Sequence, residues 1–217
     1  MRRRIYLLRH AAVAYFVDGR PLRPETVELT AEGEEQARAT AEALSGVPFD
    51  RVITSGLPRT LATARIVAPG LEPESWPELR ELESGRLSDH AEHELESLFV
   101  NAFANVVPEE ARFLGGETIG ALFDRVVPAL DRLVADRSWD VVLVVAHGGV
   151  NRAILSHALT GNRAFLGNLE QAPGCINVLD VGEDWIVRAV NVAPYDLVHL
   201  RGRHTTMEEL WRQFRST

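Results

Sequence analysis

VVLVVAHGG, residues 141–149, is six apolar positions that end in a histidine and two glycines. Val141 to Ala146 carries no polar face, so the run predicts a central strand covered on both sides. Gly148 and Gly149 then permit close backbone approach where a helix N-terminus is about to start. The same design stands near the N-terminus, where IYLLRH at 5–10 runs an apolar strand into Arg9 and His10. In open α/β sheets, ligands gather beyond the carboxyl ends of strands. His10 and His147 are therefore expected to share one site, with Arg9 beside the first of them.

Outward from these segments, strands and helices alternate. Arg4 to Arg9 is a short strand, followed by a long polar connection with Gly19, Pro21 and Pro24. Thr30 reads as an N-cap, with Glu32, Glu34 and Glu35 near the positive end of a helix dipole. That helix runs to about Leu44 and stops at Gly46. Arg51 to Thr54 is a second strand, and Pro58 opens a helix that reaches about Ala68, before Pro69-Gly70. A short helix is expected around Glu94 to Ala104. Ile119, Leu122, Phe123, Val126, Leu130 and Leu133 form a helical stripe within Glu117 to Asp136, where Pro128 is placed to kink it. A helix from about Val150 to Leu159 follows the central strand. Cys175 to Val181 and Trp185 to Val192 read as an antiparallel hairpin across Gly182-Glu183-Asp184. Thr205 and Glu208 make a capping-box pattern that opens a final short helix. The sum predicts one three-layer α/β/α domain over residues 1–217, with a mostly parallel central sheet and no dividing linker.

Composition narrows the function classes. The formal net charge of −8 argues against a nucleic-acid partner, which usually meets a basic excess. It leaves anionic substrates open, because a few local arginines outweigh a distant negative surface. A single cysteine, Cys175, excludes an intramolecular disulfide and a cysteine-based zinc site, and reads as a buried strand residue. The apolar run of MRRRIYLLRH is too short for a signal core, and Val141 to Ala146 is too short to span a bilayer. The expectation is a cytoplasmic protein with no membrane partner.

SGLPRTLATA at 55–64 follows the second strand and places Arg59 in the first turn of a helix. Two arginines, two histidines and free backbone N–H groups suit a phosphate dianion, since arginine gives forked, charge-assisted hydrogen bonds. LLRH at 7–10, LTAEGEEQA at 29–37, SGLPRTLATA at 55–64, LRELESG at 79–85, GGET at 115–118 and AHGGVNR at 146–152 follow in this order. This ordered set resembles the histidine phosphatase superfamily, also called the phosphoglycerate mutase-like family, over most of residues 4–192.

The resemblance implies a phosphoglycerate mutase-like fold and a metal-independent phosphatase of the histidine acid phosphatase type. By it, His10 takes up the phosphoryl group as phosphohistidine. Arg9, Arg59, His147 and Gly148 complete the phosphate pocket, and Glu81 is the proton donor, with Glu83 as its competitor. No metal and no cofactor are implied, and the partner is a small phosphorylated substrate. The residues agree with these roles. A neutral imidazole is a good nucleophile near pH 7, and its other N–H needs a fixed acceptor such as a backbone carbonyl. Two departures bear on substrate. A usual asparagine position is Phe16, at the end of Ala11, Ala12, Val13, Ala14 and Tyr15. After Gly85, the usual tryptophan-glutamate-glycine is Arg86, Leu87 and Ser88.

The family's segment over the pocket falls at about residues 86–116 here, as a lid insertion carrying Leu87, Leu95, Leu98, Phe99, Val100 and Phe103. With Tyr15 and Phe16 opposite, it predicts a preference for phosphomonoesters with an apolar or aromatic body; simple packing of these side chains against the domain is the competing account. His90 and His93, flanked by Glu92 and Glu94, have the spacing of one helical face but read as surface residues rather than a metal pair. Thr118 reads equally as a substrate contact and as a helix cap. The tail at about 195–217 is basic, with Arg201, Arg203, His204, Arg212 and Arg215, and reads as a solvated face rather than a cover for the site mouth. A homodimer is compatible with these features. The alternatives to a phosphatase are a cofactor-dependent phosphoglycerate mutase and a phosphate-binding or scaffolding protein without turnover.

Overall fold

The computed structural model describes residues 2–17, 20–198, 200 and 203–216; Gly19 of the first connection and Arg201 of the tail lie outside them. The central sheet has strands β1 (Arg3–Arg9), β2 (Arg51–Thr54), β3 (Glu74–Ser75), β4 (Val141–Ala146), β5 (Ile176–Val181) and β6 (Trp185–Val192). Their order is β6-β5-β1-β4-β2-β3. β1, β4, β2 and β3 pair in parallel, and β5 runs antiparallel to both β1 and β6. The expected mostly parallel sheet and the terminal hairpin are both present. The two-residue edge strand β3 was not expected, because so short a segment leaves no periodic signal.

The helices are α1 (Ala31–Ala43), α2 (Pro58–Val67), α3 (Glu92–Val100), α4 (Ile119–Ala135), α5 (Gly148–Thr160) and α6 (Thr206–Arg215). Strand alternation sorts the core into two layers. Ile5, Leu7, Val142 and Val144 pack with α4 and α5 on one face. Leu8, Leu143 and Val145 pack with Val52, Leu44 and Ala64 on the other. The stripe of α4 is buried as its spacing predicts, with Leu122, Phe123 and Val126 fully covered. Truncating Leu122 to alanine would cost roughly 2–5 kcal/mol.

Three local expectations need correction. α3 begins at Glu92 rather than Glu94, because the Glu94 carboxylate accepts from the Ala91 N–H and so belongs to the first turn. His90 stands before α3 on extended backbone, so it does not share a helical face with His93. The tail is not simply a solvated basic face. Met207, Leu210, Trp211 and Phe214, spaced as one helical stripe, pack α6 onto α3 and onto Phe16, Phe113 and Leu114. Arg212 and Arg215 lie on the exposed side of that helix.

Candidate active site

Sheet register builds the site. Arg9 is paired with Ala146 across β1 and β4, and Thr54 with Val145 across β2 and β4. The next residues, His10, His147 and Ser55, therefore leave neighbouring strand ends together. The rings of His10 and His147 have centroids 5.2 Å apart, and both are buried. Nδ1 of His10 lies 2.8 Å from the Ala11 carbonyl, which can only accept, so Nδ1 carries the ring proton and Nε2 the lone pair. The backbone carbonyl expected from the sequence is thus in place. Burial, followed by the charges of Arg59 and Arg9, holds the His10 ring well below the usual histidine range and therefore neutral.

His147 is fixed by a relay. Its Nε2 lies 2.8 Å from Ser55 Oγ, Ser55 Oγ lies 3.1 Å from Thr60 Oγ1, and the Thr60 hydroxyl donates to the Leu57 carbonyl at 2.8 Å. Its Nδ1 faces Arg59 Nη2 at 3.4 Å. Burial, with His10 and Arg59 next, lowers the His147 ring well below the usual range.

The two arginines are pinned at one end and open at the other. Arg9 Nη1 donates to the Gln171 carbonyl at 2.6 Å, and Arg59 Nη1 to the Pro24 carbonyl at 2.7 Å. The Nε atoms of both are buried without a hydrogen-bond partner. Such orphaned donors are costly unless an acceptor comes to them, and a phosphoryl oxygen is the acceptor whose charge matches. Gly148 opens α5 directly after His147, so the positive end of that helix faces the same place.

Glu81 comes from the opposite wall. Both its carboxylate oxygens accept from the Gly149 N–H, at 3.1 Å each, and Oε1 accepts from the Leu82 N–H at 2.8 Å. A Cβ on Gly149 would stand 2.6 Å from Glu81 Oε1, so only glycine lets the carboxylate reach the helix start. The glycines of LRELESG and GGET have a packing reason too. A side chain on Gly85 would meet the Leu114 carbonyl, and one on Gly116 the Glu83 carbonyl. Glu83 is tied through its backbone to Glu117 on that turn and lines the same cleft.

Sequence reading left several residues without a role. Ser55, Thr60 and Thr63 lie within the quoted motif; Thr63 Oγ1 accepts from the Ala11 N–H at 3.1 Å and steadies the backbone behind His10. Gln171 and Asn177 hold one another beneath Arg9 at 3.0 Å. Arg152, buried at the cleft, donates to the Gly167 carbonyl at 3.0 Å. Arg125 pairs with Glu117 at 2.7 Å and donates to the carbonyls of Glu78, Arg80 and Glu81, fixing the Glu81 loop. Thr118 accepts from the Ala121 N–H as the cap of α4.

The chain matches the model of the histidine phosphatase superfamily (branch 1) over residues 5–192. The chain belongs to this superfamily. It is 30% identical over 189 residues to the adenosylcobalamin/alpha-ribazole phosphatase of Salmonella typhimurium, covering 83% of this chain and 91% of that one. It is 32% identical over 164 residues to a Serratia proteamaculans protein named "Probable phosphoglycerate mutase", covering 71% and 74%. The crystal structure of the alpha-ribazole phosphatase from Shigella flexneri superposes with a TM-score of 0.71 at 27% identity, covering 87% and 96%. The expected phosphoglycerate mutase-like fold is borne out, and so is the expected class of phosphomonoester hydrolase acting on small phosphorylated metabolites.

The cleft over His10 has a volume of about 1290 Å³. It is lined by Arg9, His10, Arg59 and Glu81, by the apolar side chains of Phe16, Leu87, Phe103, Phe113, Met207 and Phe214, and also by Arg80, Arg86, Glu209 and Gln213. Among the described residues no three histidine, cysteine, aspartate or glutamate side chains cluster as a metal site, and no helix is long and apolar enough to cross a membrane. Burial pushes the Cys175 thiol up to about 12, so it is no nucleophile.

Proposed function

We propose that the chain hydrolyses phosphomonoesters with an apolar or aromatic body, carrying the phosphoryl group on His10 Nε2 without metal or organic cofactor. The observation that carries this reading is the His10 ring: neutral, its Nδ1 proton fixed on Ala11, and within the charge influence of Arg59 and Arg9, each of which has a buried Nε without a partner. Arg9, Arg59, His147 and the Gly148 end of α5 hold the phosphoryl oxygens. Positioning and charge stabilisation are most of what such a transfer needs. Nε2 forms its bond to phosphorus as the ester P–O bond breaks, and Glu81 gives the leaving oxygen a proton. Glu81 then takes a proton from the water that attacks phosphorus and frees His10. Its place on the Gly149 N–H, beside His147, favours it over Glu83 for this work.

The whole chain acts as one unit in this reading, with residues 86–116 and α6 of the tail roofing the site. The cleft is far larger than a three-carbon phosphate requires, since pockets of about 300–1,000 Å³ already enclose drug-sized ligands. Its apolar wall gains about 25 cal/mol for each Å² of carbon it covers. The Serratia relative favours a second reading, a phosphoglycerate mutase with the same floor. A cytoplasmic setting accords with the single, buried thiol.

The test is release of inorganic phosphate from a panel of phosphorylated metabolites, with and without EDTA. Rates unchanged by EDTA are expected. A large loss restored by zinc or magnesium would remove metal independence, and a panel without turnover would leave a binding protein.

A further inference from the structure

Tyr15 reaches His10 from the first connection. Its hydroxyl oxygen lies 3.2 Å from His10 Nε2. Because Nδ1 carries the ring proton, the Tyr15 hydroxyl donates to the Nε2 lone pair. In a near-attack complex, phosphorus stands about 3–3.5 Å from the atom that attacks it. The Tyr15 oxygen already occupies that distance. A phosphoryl group can reach the lone pair only by moving the hydroxyl aside.

Backbone hydrogen bonds hold the residue in place. The Tyr15 N–H donates to Gln213 Oε1 of α6 at 3.3 Å, and its carbonyl accepts from the Leu22 N–H at 2.8 Å. The ring stands edgewise to His10, with centroids 6.5 Å apart, and 5.9 Å from the guanidinium carbon of Arg59. Tyr15 thus sits between the nucleophile and a phosphate-binding arginine. Phe16, the next residue, has no polar side-chain atom to offer, and its ring packs on Phe214 with centroids 5.5 Å apart.

We propose that Tyr15 is a further catalytic residue: its hydroxyl caps His10 Nε2 in the free protein and, once displaced by the substrate, donates to a non-bridging oxygen of the phosphoryl group in transfer. This rests on His10 as the nucleophile. In the first step the Nε2 lone pair forms the N–P bond, the ester P–O bond breaks, and the leaving oxygen takes its proton from Glu81. Tyr15 stays neutral and keeps its proton in a hydrogen bond to the phosphoryl oxygen. In the second step the water oxygen bonds to phosphorus, Glu81 takes the proton, the N–P bond breaks, and the hydroxyl returns to Nε2. Its return competes with inorganic phosphate for the same place and so aids product release.

Tyr15→Phe keeps the ring and removes the donor. Loss of one pre-aimed donor costs roughly 10²–10³ in kcat where few others remain; with two arginines in place, a fall of about 10–100-fold is expected. The loss should be equal for p-nitrophenyl phosphate and an alkyl phosphate, because the hydroxyl acts on the phosphoryl oxygens and not on the leaving group. The melting temperature should match the parent. In the otherwise unaltered chain, 3-fluorotyrosine at residue 15 should show a moved 19F resonance when orthovanadate is added to a concentration that inhibits turnover. A kcat within twofold of the parent overturns the proposal, as does a loss that grows with leaving-group basicity or a 19F signal that orthovanadate does not move. His10→Ala separates the two readings. If it retains turnover, the nucleophile is wrong whatever Tyr15 does. If it is inactive while Tyr15→Phe is fully active, only the role of Tyr15 falls.

Discussion

The floor of the cleft is made of strand ends, and its roof of two helices packed on each other. In the floor, position is dictated by register. Arg9 opposite Ala146 and Thr54 opposite Val145 leave His10, His147 and Ser55 no choice but to emerge side by side. Nearly every polar group there is held by a neighbour, and the exceptions, Nε of Arg9 and of Arg59, are donors suited to an anion. The roof has another logic. α3 and α6 meet through Phe99, Trp211, Phe214 and Met207, of which Phe99, Met207 and Phe214 line the cleft beside Glu209 and Gln213. The superfamily match covers the floor and α3 but ends at residue 192, before α6. In the proposed function the floor carries the reaction and the roof the choice of substrate, so each can be broken alone.

The largest effect should come from the floor. His10→Ala is expected to lower hydrolysis of every substrate on the order of 10⁵-fold, as loss of a nucleophile does elsewhere. Rapid quench and mass analysis of the parent should show an acid-labile, alkali-stable phosphoryl group on His10. Turnover that survives the substitution would end the separation of floor and roof, because another group would then be doing the chemistry.

Next in size is the proton donor. Glu81→Gln should slow alkyl phosphates by roughly 10²–10⁴-fold, while p-nitrophenyl phosphate, whose leaving group barely needs a proton, slows much less. Steady-state kcat for the two substrates measures this. The same pattern in Glu83→Gln, and not in Glu81→Gln, would move the role two residues along the loop.

The floor was largely legible in the sequence, and the physical reason is that strand ends announce themselves. An apolar run such as Val141 to Ala146 has few places to go but the middle of a sheet, and the residues directly after it must sit at the sheet's edge. Glu81 was named by the family resemblance, and its loop is set by Gly85, a glycine that the Leu114 carbonyl requires. The hydroxyl relay from His147 through Ser55 to Thr60 was not legible, since serine and threonine at a helix start read as caps. The buried Arg152 was hidden for a related reason, because charge gives no sign of burial in sequence. α6 was misjudged through its composition. Arg212 and Arg215 mark its outer face, and with Arg203 and His204 just before it they mask the stripe of Met207, Leu210, Trp211 and Phe214.

The roof can be tested at a smaller scale. The parent should prefer an aryl phosphate such as 1-naphthyl phosphate over 3-phosphoglycerate in kcat/KM, and should form little or no 2-phosphoglycerate in the presence of the bisphosphate. Phe214→Ala removes a ring from the apolar wall. If about 50 Å² of ligand contact is lost at about 25 cal/mol per Å², the preference for the aryl ester should fall roughly tenfold. Hydrolysis of 3-phosphoglycerate should hardly change. Efficient interconversion of the two phosphoglycerates would instead promote the mutase reading and make the roof irrelevant to choice.

The smallest expected effect is on stability, and it belongs to the floor alone. His10 and His147 are both held well below 6.5, the ordinary histidine value, first by burial and then by neighbouring positive charge. Below about pH 6.5 the unfolded chain binds protons at these two residues that the folded chain refuses, so stability rises with pH across this window and falls on acidification. Each histidine contributes at most about 1.4 kcal/mol per pH unit. The carboxylates of Glu74, Glu117 and Asp180, lowered in the folded state, act with the same sign, but only below their ordinary values of 4.5, 4.5 and 3.8. Urea midpoints measured between pH 7.5 and pH 5.5 therefore isolate the histidines. The midpoint should hold to about pH 6.5 and then decline, and His10→Asn should flatten the decline by up to half. A parent whose stability stays level down to pH 5.5 would mean that the two rings are open to protons in solution, and the floor would lose the neutral nucleophile on which its chemistry depends.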